Sequence, residues 1–332
     1  MAVLTSLAYA RTRVRRGRTG QRVRLTATIT ATVNGGPFNL GHIFQPYGRT
    51  SQRSGQPYFA WSNFAVPIPF EHDTPISGTN TCSEPRFAWD SRRAVVAVIN
   101  DNGTIVERIS YDDALTFNSG VSRFSAASHP DVTAGRGGVL IELAYRASTI
   151  VGIRQTPAGA TPSAEFTLKD SAGADLAVED SVFRLIEDSR SWWWLHCRPS
   201  GAGTTRLLFS TDIDTGPTQT FATTSGAVTG IASGLHPGCC TSPGGTLYAW
   251  ARVGTAGHIT YRHPGSTAWA TPVAMVDSTA TALSFADQPF SITGVYESAN
   301  RLVLAAIITG ETAVSEWWSA DERGISWTRL LP

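Results

Sequence analysis

Six polar side chains, His42, Asp90, Arg146, Arg198, Arg252 and Glu297, fall just at or beyond the first apolar run of successive stretches of this 332-residue chain. Gathered at one mouth, they would form a ring able to recognise an anionic or hydroxyl-rich ligand. A wet channel mouth is polar in any case, which is the plainer account of them. Trp192-Trp193-Trp194 is the sharpest aromatic feature. In a strand, Trp192 and Trp194 face one side and Trp193 the other, so the rings either pack between neighbouring sheets or leave one exposed to stack on a sugar. Trp317-Trp318 invites the same two readings. No HExxH, GxGxxG, phosphate-loop or GxSxG arrangement forms a convincing site. Asp101-Asn102-Gly103 and Asp170-Ser171-Ala172-Gly173 lack the repeated oxygen ligands of a calcium loop, and β-turn chemistry accounts for them. Cys82, Cys197, Cys239 and Cys240 lack paired CxxC spacing, and the adjacent Cys239 and Cys240 are poorly placed to bridge each other. His196 beside Cys197 is a weak zinc candidate, so neither a metal nor a cofactor is expected.

The elements that must position these residues are strands. Val23–Val33 is a β-branched run with strand alternation, closed by Asn34-Gly35-Gly36. After it come pairs of short apolar runs separated by polar turns: 38–44 with 58–64, 87–90 with 94–99, 139–145 with 149–153, 192–197 with 205–209, 247–253 with 258–261, and 292–296 with 302–308. Turns such as Asn102-Gly103, Ser200-Gly201-Ala202-Gly203 and Gly254-Thr255-Ala256-Gly257 punctuate them, and no run leaves room for a helical crossover.

Charge is unevenly spread. Residues 1–70 carry nine arginines and no acid, whereas the remainder has 18 basic and 26 acidic residues. Arg11, Arg13, Arg15, Arg16, Arg18, Arg22 and Arg24 therefore make a basic leading arm within residues 1–37. It lacks the aromatic interleaving, zinc spacing or recognition-helix pattern of a specific nucleic-acid reader, and an acidic protein partner or the chain's own body fits it better. Met1–Ala10 does not read as a secretion signal, because the charges follow the apolar segment. No run reaches the roughly 18 apolar residues of a membrane span, so no membrane insertion is expected.

The last stretch joins a polar turn to a tryptophan: Ser319, Asp321, Gly324, Ser326 and Trp327. Ser110, Asp112, Thr116 and Phe117 keep a similar spacing, with Ala114 in the glycine's place. Ser210, Asp212, Gly216, Thr220 and Phe221 form a stretched version, and Pro264–Trp269 keeps a glycine turn and its Trp. The aromatics Phe117, Phe166, Phe221, Trp269 and Trp327 lie 49, 55, 48 and 58 residues apart. A period near 50 is the size of a propeller blade.

These turns resemble the Asp-box of the sialidase-like β-propellers, with one extra residue before Gly324. The resemblance implies an all-β, six-bladed β-propeller over residues 38–332, with approximate blades 38–86, 87–138, 139–190, 191–245, 246–291 and 292–332. In that family the box joins the third and fourth strands of a blade, whereas here the turns of the fourth and fifth blades follow the second apolar run. Residues 23–33 are expected to lie against the final blade as a closing strand. Sialidases resembling this fold clamp a sugar carboxylate with three arginines and use a Tyr–Glu nucleophile pair and an aspartate. Arg146, Arg198 and Arg252 could form such a clamp, near Tyr145 or Tyr296 and Glu142 or Glu297. The early Arg-Ile-Pro signature is absent, however, and none of these residues sits in a matching motif.

The chain also resembles propeller proteins attached to bacteriophage virions, particularly tail components. That implies a noncatalytic structural or receptor-facing module, assembled in the host cytoplasm and retained in the virion. Its partners would be other virion proteins, met through the arm and a propeller face, with a glycan receptor as a further candidate. The alternative is a carbohydrate-binding or sialidase-like glycoside hydrolase protein.

Overall fold

Short runs of Val, Ile, Leu and Trp between tight turns fold as antiparallel strands, and no helix occurs among the described residues. The computed structural model describes the backbone of residues 3–10, 15–17, 20–32, 38–40, 51–53, 58–64, 72–75, 82–89, 95–111 and 116–329, apart from 136–137, 188–191, 212, 214–219, 224–229, 243–244, 267, 287–289, 296–300, 307, 312–314, 320 and 322. Side chains are described for most of this from Arg86 onward.

Six sheets of four or five strands follow one another along the chain, with a small hairpin, Phe38–Leu40 with Ser51–Arg53, beside them. The second blade is Cys82–Trp89, Val95–Asp101, Thr104–Ser110 and Val121–Ser125. The third is Ser128–Ala134, Leu140–Arg146, Thr149–Gln155 and Phe166–Thr167. The fourth is Arg184–Glu187, Trp193–Cys197, Arg206–Ser210 and Ala222–Thr223. The fifth is Leu235–Thr241, Leu247–Val253, Ala256–Arg262 and Val273–Ala274. The sixth is Ser291–Val295, Arg301–Ala306, Ser315–Ser319 and Ser326–Arg329, with Val276–Asp277 added in parallel to its last strand. The first strands of successive sheets lie against one another, and the ring closes from the sixth back to the first. Such closure leaves no long sheet edge exposed.

Three expectations are corrected by this strand order. Val3–Ala10 and Gly20–Thr32 pair with each other, and Gly20–Thr32 continues to Tyr58–Phe64, so these segments are strands of the first blade and not an arm ahead of it. Arg15 and Arg16 belong to a hairpin on Gly20–Thr32, which also carries Arg22 and Arg24, while Arg11, Arg13 and Arg18 lie outside the described residues. Val23–Thr32 is thus a first-blade strand and not a closing strand on the last blade. The expected divisions at 139, 191 and 246 also fall one strand late, because each of those blades begins with an earlier inner strand.

The repeat has its own hydrogen-bond signature. The segment entering each next blade donates a backbone N–H to the turn between the second and third strands: Ala127 to Gly103, Val178 to Ser148, Ser233 to Gly203 and Phe285 to Thr255, at 2.6–2.9 Å. Two-residue turns with positive φ, Asn102-Gly103 and Ala147-Ser148, match the twist of the strands they join. Because blades pack face to face, strands near the middle of a sheet bury both faces. Trp193–Cys197 is buried throughout. Trp193 joins the apolar cluster with Ile141 and Leu143 of the third blade, and Trp194 joins that with Leu247, Ala249 and Trp269 of the fifth.

Candidate functional site

The aromatic turns all lie between third and outer strands. Ser319–Ser326 joins Ser315–Ser319 to Ser326–Arg329, and Ser110–Phe117, Ser210–Phe221 and the segment through Trp269 occupy the same connection in the second, fourth and fifth blades. The apparent irregularity of the fourth and fifth blades disappears once their inner strands are counted. Within the last turn, Ser319 Oγ accepts the Asp321 N–H at 3.2 Å, and Asp321 Oδ1 accepts the Arg323 N–H at 2.9 Å. Gly324 takes φ of 68°, a conformation that costs glycine little. The Trp327 indole donates to Gly324 O at 2.9 Å from a fully buried position. Ser319 and Asp321 direct these oxygens at the turn's own backbone N–H groups, which makes the turn a clasp. Ser110, Ser210 and Phe221 are likewise buried and Trp269 nearly so, while Thr116 and Ser326 are exposed and Phe117 half-buried. Asp112, Asp212 and Gly216 lie outside the described residues.

Of the expected polar ring, His42, Asp90 and Glu297 lie outside the described residues. Arg146, Arg198 and Arg252 take equivalent places at the ends of second strands, not inner ones. Because the start of an inner strand pairs with the end of the second, this is the end of the ring where Ser128 and Leu235 begin their strands. The arginines do not form a clamp: Arg146 pairs with Glu165, Arg198 Nε with Glu179 Oε2 at 2.8 Å, and Arg252 is buried. The same end holds groups that sequence reasoning missed. His129 lies 3.3 Å from Ser181 Oγ through Nε2 and edge-on to Tyr145, and Asp180 accepts the backbone N–H groups of Val182 and His236 at 2.9 and 2.7 Å. Asp180 thereby joins the entries of the fourth and fifth blades. Glu142, proposed beside Tyr145 as a catalytic carboxylate, is instead buried between blades.

At the opposite end, the fourth and fifth blades build an aromatic platform. Trp192, half-buried, has its ring centroid 5.6 Å from Phe209 and 6.4 Å from Trp194. Trp194 meets Trp269 edge-on at 6.1 Å. The Arg262 guanidinium, at the end of the fifth blade's third strand, lies 4.4 Å from the Trp194 ring centroid and 5.5 Å from that of Trp269. A guanidinium over an indole face is held by the ring's quadrupole. Trp269 is 9% exposed, and among the described residues no acceptor reaches its indole N–H. Aromatic faces beside fixed N–H donors can take a ligand with one apolar face and a hydroxyl rim.

His196, Cys197, Cys239 and Cys240 belong to the interior. His196 Nδ1 bonds to Gly238 O at 2.8 Å, and burial, only partly offset by that bond, pushes the imidazole down to about 4, so it is neutral near pH 7. Burial raises the thiols of Cys197 and Cys239 far above their ordinary range. Among the described residues, no group of three His, Cys, Asp or Glu side chains is placed to hold a metal ion.

No protein-family model and no curated protein matches the sequence. Solved structures do match in shape. The fucose-specific lectin from Aleuria aurantia aligns with a TM-score of 0.59 at 10% identity, covering 99% of this chain and 95% of that one. A protein of unknown function from Dyadobacter fermentans aligns with 0.55 at 11% identity, covering 99% and 96%. A Hadza microbial sialidase aligns with 0.53 at 12% identity, covering 83% of this chain and 66% of the sialidase. The Aleuria aurantia lectin is described as a six-bladed β-propeller with a novel fucose recognition mode. At these identities the likeness is one of fold, and with the closed ring of six sheets it makes this chain an all-β, six-bladed β-propeller.

Proposed function

We propose that this chain is a noncatalytic carbohydrate-binding propeller whose ligand stacks on the platform between the fourth and fifth blades. The observation that carries the reading is the grouping of half-buried Trp192 with Phe209, Trp269 and Arg262. The apolar face of a pyranose fits the half-buried Trp192 ring, and the partly exposed Arg262 beside the platform is the polar group that its hydroxyls would meet. The likeness to a fucose-specific lectin in fold supports the choice of ligand class. The noncatalytic part rests on the carboxylates: a glycosidase needs a pair flanking a scissile bond, whereas Glu107 and Glu142 are sealed between blades. The virion setting has no counterpart among these likenesses, and the basic segment that would anchor it pairs into the first blade.

The test is a broad glycan array on the full chain, followed by titration calorimetry of any hit against Trp192→Ala. Losing one stacked aromatic face should weaken binding by about 1–3 kcal/mol, or roughly 5- to 150-fold, with the far-ultraviolet circular dichroism unchanged. Absence of any bound glycan, or equal affinity in folded Trp192→Ala, would sink the proposal. Cleavage of an arrayed glycan would overturn its noncatalytic part.

A further inference from the structure

Four polar side chains meet between the second and third blades with almost no exposure to water. Glu107 comes from the second blade's third strand and Arg123 from its outer strand, while Glu142 and Gln155 come from the third blade's second and third strands. The Gln155 amide nitrogen touches one carboxylate oxygen of each glutamate, and its Oε1 accepts the Gly159 N–H at 2.9 Å. Arg123 Nη2 lies 2.6 Å from Glu107 Oε1, and Arg123 Nε lies 4.0 Å from Glu142 Oε1. One cation therefore faces two carboxyl groups and is engaged chiefly by Glu107. Among the described residues no donor reaches Glu142 Oε2, which is fully buried. Ionised, that oxygen would carry charge in the interior with neither water nor a donor, a costly state that a bound proton removes.

We propose that the seam between the second and third blades is a proton-held lock, in which Glu142 keeps a proton that it shares with Glu107, and that losing this proton loosens the seam. Burial first, and then the neighbouring Glu107, holds the Glu142 carboxyl well above its ordinary range. Burial would raise Glu107 too, but hydrogen bonds with Glu142, Gln155 and Arg123, together with the Arg123 charge, bring it below. The neighbouring charges turn elsewhere. Arg108 donates to Asn118 O, Arg154 lies over Phe166, and on the third blade's inner strand His129 and Asp131 bond to Ser181 and Arg184 of the fourth.

The sign follows from proton counting. In the unfolded chain both glutamates ionise near 4.5, while the folded pair keeps one proton above that value. Folding thus binds a proton, and the stability from Glu142 is full below 4.5 and lost as pH rises toward its elevated folded value. Glu107 works in reverse and adds stability only above its own lowered range.

The experiment is equilibrium urea unfolding of the full chain and of Glu142→Gln from about pH 5 to 8, since a one-proton linkage changes the unfolding constant by about tenfold per pH unit. The amide imitates the protonated acid, so Glu142→Gln should remove the part of the slope that destabilises the wild type at higher pH. Infrared spectroscopy of the native wild-type chain at neutral pH should show a protonated carboxyl band, so the proposal stays testable if the variant does not fold. That band should be absent from folded Glu142→Gln. An unchanged slope in Glu142→Gln, or no protonated carboxyl in the wild type, would overturn the lock.

Discussion

Replacing Trp327 with alanine is the sharpest test of the clasp that joins the third and outer strands of the last blade. The indole is fully buried among Tyr248 and Ile259 of the fifth blade and Leu302 and Leu304 of the sixth. A tryptophan covers roughly 150–250 Å², which at about 25 cal/mol per Å² corresponds to about 4–6 kcal/mol of transfer free energy. Alanine keeps a small part of that area and loses the bond to Gly324 O, worth about 1 kcal/mol. Collapse of the neighbours recovers some of the rest, so the expected loss is about 3–5 kcal/mol. Asp321→Ala gives the comparison. It removes a partly exposed acceptor for the Arg323 N–H and a solvent-exposed pairing with Arg323 Nε, and should cost about 1 kcal/mol. The assay is urea unfolding followed by far-ultraviolet circular dichroism, because fluorescence would lose one of its own reporters. A cost for Trp327→Ala under about 1 kcal/mol, or one smaller than that of Asp321→Ala, would refute the assignment of Trp327 as the anchor and the aspartate as a local turn-former.

Two further predictions concern links between blades. His196 is held down to about 4 by burial, against an ordinary value of 6.5, so its contribution is full above 6.5 and is lost as pH falls through 4. The fall should reach about 3 kcal/mol, and unfolding titrations at neutral and acid pH should show it smaller in His196→Gln; an identical acid loss in the variant would contradict the argument. Asp131 is fully buried, pairs with Arg184 and accepts the Leu185 N–H at 2.7 Å, so Asp131→Asn should cost about 3 kcal/mol by leaving Arg184 without its counter-charge. Adding Arg184→Met should cost less than the two single changes combined, and strict additivity in that cycle would show that the pair is not coupled.

The period of the fold is legible because one aromatic in each of the second to sixth blades sits at or beside the outer strand, and Phe221, Trp269 and Trp327 cannot drift far in sequence without leaving the core. The inner strands are hidden by their chemistry. Ser128-His129-Pro130-Asp131 and Leu235-His236-Pro237-Gly238 read as turns, since proline lacks a ladder donor and the flanking residues are polar. In the structure each of these segments shifts register at the proline, and His129 and His236 take φ of 46° and 53°. The irregularity is itself periodic. A comparable register shift brackets Glu84-Pro85 in the second blade, so recurrence of x-Pro ahead of a short apolar run was the signal for the missing strands. The first blade escaped for a related reason: Val3–Ala10 is a strand of mostly apolar residues, but the arginines after it drew the segment into a charged arm.

The site is less legible than the fold because its parts meet only through blade adjacency. Trp192 and Arg262 come from different blades, and nothing local in either stretch announces the other. The triple tryptophan divides as strand alternation requires, with Trp193 turned toward the third blade and Trp194 toward the fifth. Trp192, at the strand's start, then remains at the rim, the one place in the triplet where a ring can be both held and reached. The carboxylates show the converse limit. Glu107 and Glu142 have the residue type of a glycosidase acid pair, but spacing carries no information about dielectric. Placed between two blades with one arginine and one glutamine, the same pair loses access to substrate and acquires a proton. Residue type proposes a chemistry, and only the depth at which the fold sets the residue decides whether that chemistry faces a ligand or a neighbouring blade.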